Sequence, residues 1–290
     1  MGYQWSIAER TMGDEFRSIA HEQIDKAMET ALSGGATPAS RVHEARRRCK
    51  KLRALFRLVR PSFAAYSEAN AGVRDAARAL ALARDTHVLR QTLSDLLEWG
   101  GGHALPPEPT FAGSEREGDA LARFAIDMRA LRDHSLHWDC ARITPATLVE
   151  GLSSTYRRGR HAARAALISL DDEHFHDWRK EAKYYWNQLR LLERAAPDVI
   201  APAARSTGEL ADLLGLHHDL ALLRRGLEQG EFAEIAAGAP QVPALQERRR
   251  HEIESRISKL GRQLYAETPG AVSRRFATYL ALRPAPGDGA

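Results

Sequence analysis

Apolar residues recur at three- and four-residue intervals through almost every long stretch between Gly13 and Leu282. That is the period of a helix with one buried face. Strand signals are nearly absent: no run of Val, Ile or Thr alternates with polar residues between turn formers. The pattern predicts an all-α fold, with helices over about 13–32, 41–59, 62–84, 86–98, 116–138, 145–169, 174–195, 199–216, 219–229, 243–267 and 269–282. Pro61, Pro145 and Pro269 fall where a first helical turn tolerates proline. The stretch Gly100 to Gly118, with three consecutive glycines and three prolines, reads as a flexible surface connection. The 290 residues are 43% hydrophobic and 28% charged, enough to bury a core in one large helical domain or two similar lobes.

The chain also repeats itself. Residues 43–58 read HEARRRCKKLRALFRL and residues 176–191 read HDWRKEAKYYWNQLRL. At a shift of about 133, His43 meets His176, Arg46 meets Arg179, Arg47 meets Lys180, Lys50 meets Lys183 and Arg57 meets Arg190. RALALARDTHVLR at 78–90 matches ADLLGLHHDLALLR at 211–224 at nearly the same shift, pairing Asp85 with Asp219 and Arg90 with Arg224. Two matches in the same order imply a duplicated unit of about four helices. The expectation is two four-helix bundles related by an internal pseudo-twofold axis, the first over about 13–138 and the second over about 145–283. Residues 284–290, at the end of the Pro- and Gly-rich stretch from Arg283 to Ala290, form a frayed tail in this reading.

The repeated helix carries two stripes. In the first copy Ala45, Cys49, Leu52, Phe56 and Val59 share one face, and His43, Arg46, Lys50, Arg53 and Arg57 share another beside it. In the second copy the apolar stripe is Trp178, Ala182, Tyr185, Leu189 and Leu192, and the basic one is His176, Arg179, Lys183 and Arg190. The first row runs about 21 Å, at about 1.5 Å per residue. Like charges so spaced destabilise an isolated helix by about 0.2–0.5 kcal/mol per pair. Neither helix relieves this with acids on the same stripe, since Glu44 and Asp177 point elsewhere. Charge rows are usually solvated faces. A row that occurs twice, each time led by a histidine, points instead to a polyanion held at the flank of a bundle. Arginine grips phosphate oxygens through parallel bonds, lysine supplies a mobile charge, and histidine charges when phosphate is near. With 42 Lys plus Arg against 38 Asp plus Glu, it is the distribution of charge and not its total that carries this argument.

Other classes of function find less support. Cys49 and Cys140, both within helical patterns, make no disulfide framework, so a reducing cytoplasm is the expected compartment. No 18-residue apolar run suggests a membrane span, and Met1 to Arg10 lacks the apolar segment of a secretory signal. There is no GxSxG, P-loop or GxGxxG, and the expectation is a protein without enzymatic activity or cofactor. His217, His218 and Asp219 invite a metal reading, but adjacent helical residues diverge by about 100°, so no metal is expected there. Asp219 is expected to cap a following helix or to orient a neighbouring cation. His134 and His137 fit a solvated helix end better than a divalent-ion site. Trp178, Trp186, Tyr184 and Tyr185 lie near the second row and raise the alternative of RNA or single-stranded DNA. Trp178 and Tyr185 fit the core stripe better.

The segment HxxRxxxKxxRxxxR at 43–57 resembles the signature helix of the CHAD (conserved histidine α-helical domain) family, as does HxxRKxxK at 176–183. TYRRGRHAARAAL at 155–167 and LLGLHHDLALL at 213–223 are similar to further family segments, and the resemblance covers about 13–283. It implies two four-helix bundles whose basic, histidine-bearing helices line a groove or pore that binds inorganic polyphosphate, and it implies recruitment to polyphosphate granules in the cytoplasm, together with granule-associated proteins. By position it carries over His43, Arg46, Arg47, Lys50, Arg53 and Arg57 from the first copy. His176, Arg179, Lys180, Lys183 and Arg190 follow from the second, with Arg157 and Arg160 on the preceding helix. Trp186-Asn187 stands where relatives often have Arg-Tyr, removing one cation from the second row. The ExExK strand motif of the CYTH triphosphatase often fused to relatives is absent; the nearest string, from Glu115 to Glu117, ends in Asp119.

Overall fold

A computed structural model describes residues 3–5, 11–34, 36–80, 85–102, 114–230 and 240–282, with side chains from Leu89 and from Arg116 in the segments that begin at 85 and 114. The described residues are helical and contain no strand. Among the described residues ten α-helices follow one another: α1 Met12–Leu32, α2 Pro38–Val59, α3 Tyr66–Ala79, α4 Asp85–Trp99, α5 Ser114–His134, α6 Pro145–Ser169, α7 Asp172–Leu192, α8 Pro197–Glu228, α9 Val242–Leu264 and α10 Pro269–Ala281.

The helix starts obey local chemistry. Thr11, Thr37, Asp171 and Thr268 each accept a hydrogen bond from a backbone N–H of the first turn of α1, α2, α7 and α10. Thr144 and Thr147 close a reciprocal box at the start of α6. Pro38, Pro145, Pro197 and Pro269 open helices, whereas Pro61 lies in a short 3-10 turn, Arg60–Ser62, and α3 begins only at Tyr66. Between α6 and α7 the chain reverses through Leu170, at φ 56°, followed at once by the Asp171 cap. This turn sets the direction of α7.

Three expectations are corrected. The helices expected at 199–216 and 219–229 are one continuous helix, α8, so no helix starts at Asp219. Cys140 lies in the non-helical stretch between the turn Ser135–His137 and α6. Ser114 and Glu115, expected in the surface connection ahead of a helix from about 116, already belong to α5. The rest of that connection, 103–113, the repeat residues 81–84 and the tail 283–290 lie outside the described residues.

α1, α2, α3 and α5 pack together, and α7 packs between α6 and α8. α9 lies on α8, α10 on α6, and α4 on both α8 and α9, so a helix from the first half of the sequence lies among those of the second. α2 and α7 join the two groups: Gln188 donates to the carbonyl of Ala54 (3.1 Å), and Arg57 reaches Glu181. Residue numbers fall along α7 as they rise along α2, so the helices run antiparallel. α6 also crosses α2, at Gly151, where any Cβ would run into the carbonyl of Leu58. Residues Tyr3 to Trp5 span the same seam: Tyr3 donates to the Lys51 carbonyl and the Trp5 N–H to that of Leu191, both at 2.7 Å. One apolar core runs through the molecule, with Phe16, Phe56, Phe63 and Trp138 clustered in one group, and Tyr156, Trp178, Tyr185 and Tyr265 in the other.

Candidate polyanion-binding site

The apolar stripes of α2 and α7 are buried as the helical period requires: Trp178 is 0% exposed, and Ala45, Cys49, Leu52 and Phe56 are equally deep. The basic stripes are left at the flanks, and the two helices treat them differently.

On α7 the row faces α8. His176 meets His218 of α8, Nδ1 to Nδ1 at 3.2 Å. Lys183 lies 3.8 Å from Asp212 of α8. Arg179 is half-buried over Gly215, its charge favoured by Asp219 and Asp212, and its buried Nε has no hydrogen-bond partner. Burial lowers the pKa of both Arg179 and Lys183, and the Arg179 charge lowers Lys183 further. Burial lowers His176, with the cations Lys180 and Arg179 acting in the same direction. His218 is pushed down to about 3, first by burial and then by Arg179 and His176. Arg190, nearer the crossing, lies over the Trp186 ring (5.3 Å). Trp186 in turn fills the space left by Gly208 of α8, where a Cβ would sit 2.9 Å from the indole nitrogen.

On α2 the row faces α3 and α7. Arg46 donates to the carbonyl of Ala77 (3.0 Å), and Arg53 to Asn70 Oδ1 (3.1 Å), both on α3. His43 and Lys50 are exposed. Arg53 and Arg57 converge on the ring of Tyr184 from α7, at 5.6 and 4.1 Å. Arg57 continues to Glu181, 3.4 Å away, a carboxylate it shares with Arg158 of α6 at 3.1 Å.

Other candidates stand apart. Arg47 pairs with Glu44 (2.6 Å) and Lys180 with Asp177 (2.8 Å), both exposed on their own helices. Arg160 donates to the carbonyl of Tyr265, at the seam with α9. Exposed Arg157 borders a 470 Å³ cavity that it shares with Arg158, His161, Asp177, Lys180 and Glu181. A larger cleft, 690 Å³, lies between α6 and α10 with a mainly apolar lining, and Arg157 is the one candidate on its wall.

The sequence reading anticipated Asp219 as a group that orients a neighbouring cation, and missed the other two acids that meet the rows, Asp212 and Glu181. Asp212, Asp219 and Glu181 all come from helices other than the one carrying the cation they face. It also missed His218 as the partner of His176, although the divergence of His217 and His218 is as expected. His217 turns into the core, against Phe175 (4.2 Å), and bonds Glu254 of α9 (3.0 Å). Among the described residues, no three His, Cys, Asp or Glu side chains converge as metal ligands would. Nor is any described helix long and apolar enough to cross a membrane.

An all-α protein with two histidine-led basic helices packed on one another is thereby defined. Residues 19–228 match the family model of the CHAD domain, and the chain belongs to that family. Neither a curated protein nor a solved structure matches it.

Proposed function

We propose that this protein binds inorganic polyphosphate along the basic rows of α2 and α7, and that this binding directs it to polyphosphate granules in the cytoplasm. The observation that carries the reading is the packing of the two rows: signature helices about 133 residues apart in sequence are direct antiparallel neighbours. From a crossing near Ala54 and Gln188, the rows run outward to His43 and His176, a path of roughly 30 Å on straight helices. That suits a linear polyanion with charge at every unit. Half-buried Arg179, with Lys183 one turn on, is where a phosphate oxygen would be held most firmly. Membership of the CHAD family supports the ligand, and the sequence repeat supports an approximate twofold relation between the two halves.

The nucleic-acid alternative gains nothing from the aromatic residues. Trp178 and Tyr185 are core, Trp186 is packed against α8, and Tyr184 lies beneath two arginines. The CHAD family is a binding domain, and we read this chain as a binding module without catalytic activity.

The test replaces Arg46, Lys50, Arg179 and Lys183 with alanine. These side chains flank the cores without filling them, so helicity should persist while polyphosphate affinity falls at least about 100-fold, from the loss of four charge-assisted contacts. Replacing Arg248, Arg249 and Lys259 on α9 should cost far less. Equal losses would mean that only net charge matters. RNA binding as tightly as polyphosphate of matched charge, through Trp186, would replace this reading.

A further inference from the structure

This inference rests on the polyphosphate-binding reading and concerns regulation of the same site. His176 and His218 share a hydrogen bond between their Nδ1 atoms, with ring centroids 4.5 Å apart. Such a bond needs one N–H and one lone pair, so the contact cannot survive with both rings doubly protonated. The pair is enclosed between α7 and α8. From α7 it faces Arg179 and Lys180, with Asp177 as the opposing charge. From α8 it faces Arg225 and His217. The acids of α8 are directed elsewhere, Asp212 and Asp219 at Arg179 and Lys183. Beyond α8, Glu254 and Arg250 of α9 are engaged with His217 and with each other. Of α4, also packed on α8, side chains are described from Leu89 onward. The surroundings are partly dry and cationic, and both features disfavour the charged form of each imidazole.

We propose that His176 and His218 form a proton-linked anion latch: a polyphosphate segment held by Arg179 and Lys183 drives proton uptake by the pair, so the protein grips polyphosphate more tightly as the pH falls. The physical step is charge compensation. Burial disfavours the charged rings most and the Arg179 charge adds to it; phosphate oxygens offset that charge, and an imidazolium then donates to phosphate. A ligand that raises a group's pKa is bound more tightly where that group is protonated, and the gain appears as pH falls through the pKa of the complex. The internal phosphates of a long chain remain ionised throughout, so the ligand's own titration does not imitate the effect.

Titration calorimetry with long-chain polyphosphate, in two buffers of different ionisation enthalpy, measures affinity and proton uptake together. From pH 7.5 to 5.5 the affinity of the natural protein should rise about three- to tenfold per pH unit, the signature of up to about one proton taken up per site. His176→Gln with His218→Gln should bind more weakly and lose most of that slope and of the proton uptake, whereas His251→Gln, an exposed histidine of α9, should keep both. No proton uptake by the natural protein overturns the latch whatever the variants do, as does an unchanged slope in the double variant. If polyphosphate binds at neither pH, the binding reading fails, and the latch with it.

Discussion

The α2 row and the α7 row start from nearly the same sequence and end in different surroundings. On α7, Arg179 and Lys183 are half-buried against α8, balanced by Asp212 and Asp219, and joined by a histidine pair. On α2, His43 and Lys50 are exposed, and Arg46 and Arg53 donate to neutral oxygens of α3. Charges taken partly out of water interact more strongly and are screened less by salt. The difference therefore predicts a division of labour: α7 holds the ligand, and α2 draws it in.

The largest expected effect separates the two rows. Arg179→Ala with Lys183→Ala should weaken polyphosphate binding about 30- to 100-fold, retaining much of that loss at high salt, because these cations act in a drier setting. Lys50→Ala should cost about three- to tenfold, with a steeper salt dependence removed, since an exposed cation acts mainly through counterion release. Binding isotherms at two salt concentrations decide it, and equal, equally salt-sensitive losses would erase the distinction.

A smaller effect concerns the carboxylate between the rows. Glu181 neutralises Arg57 and Arg158. Glu181→Gln should raise polyphosphate affinity about three- to tenfold while lowering stability by about 1–3 kcal/mol, because two partly buried guanidinium groups lose their counter-charge. Urea unfolding beside a binding titration measures both, and weaker binding by the variant would show that Glu181 orders Arg57 for the ligand.

Without ligand, the histidine pair should give the α7 side its own acid sensitivity. The His218 pKa lies well below the ordinary histidine value in the folded protein, so the unfolded chain binds more protons over the intervening window. The stability from a neutral His218 is complete above about pH 6.5. It is lost progressively as the pH falls from there towards the folded value. Urea midpoints of His218→Gln should therefore decline less steeply between pH 7 and pH 4 than those of the natural protein; parallel declines would contradict the pairing. The smallest effect belongs to the cations that pair locally. Arg47→Ala and Lys180→Ala should each change polyphosphate affinity less than about threefold, because exposed ion pairs contribute roughly 0–1 kcal/mol.

What the sequence made legible follows from what is local. Helical period exposed the buried faces, including Trp178 and Tyr185, and the same geometry separated His217 from His218. Threonine or aspartate caps open five of the described helices, and in three of them proline follows the cap at once. What it hid is non-local. Each row lacks acids on its own stripe, yet Asp212 and Glu181 supply them from neighbouring helices, beside the Asp219 that the sequence already offered. The His-His-Asp string suggested a break with a cap at Asp219, but the apolar face of α8 continues through Leu220 and Leu223, and its packing on α7 carries the helix across. Cys140 fitted a helical period, but the chain leaves the helix to seat Trp138 against the aromatic cluster of α1 and α2.

The central claim is that one polyanion runs along both rows. A crystal structure of the protein with polyphosphate of defined length tests it most directly. The account predicts phosphate density that follows α7 past Arg179 and Lys183, crosses near Arg57 and continues along α2 towards His43. Density confined to the arginines of α9, or a chain that touches one row and leaves the other to solvent, would contradict it.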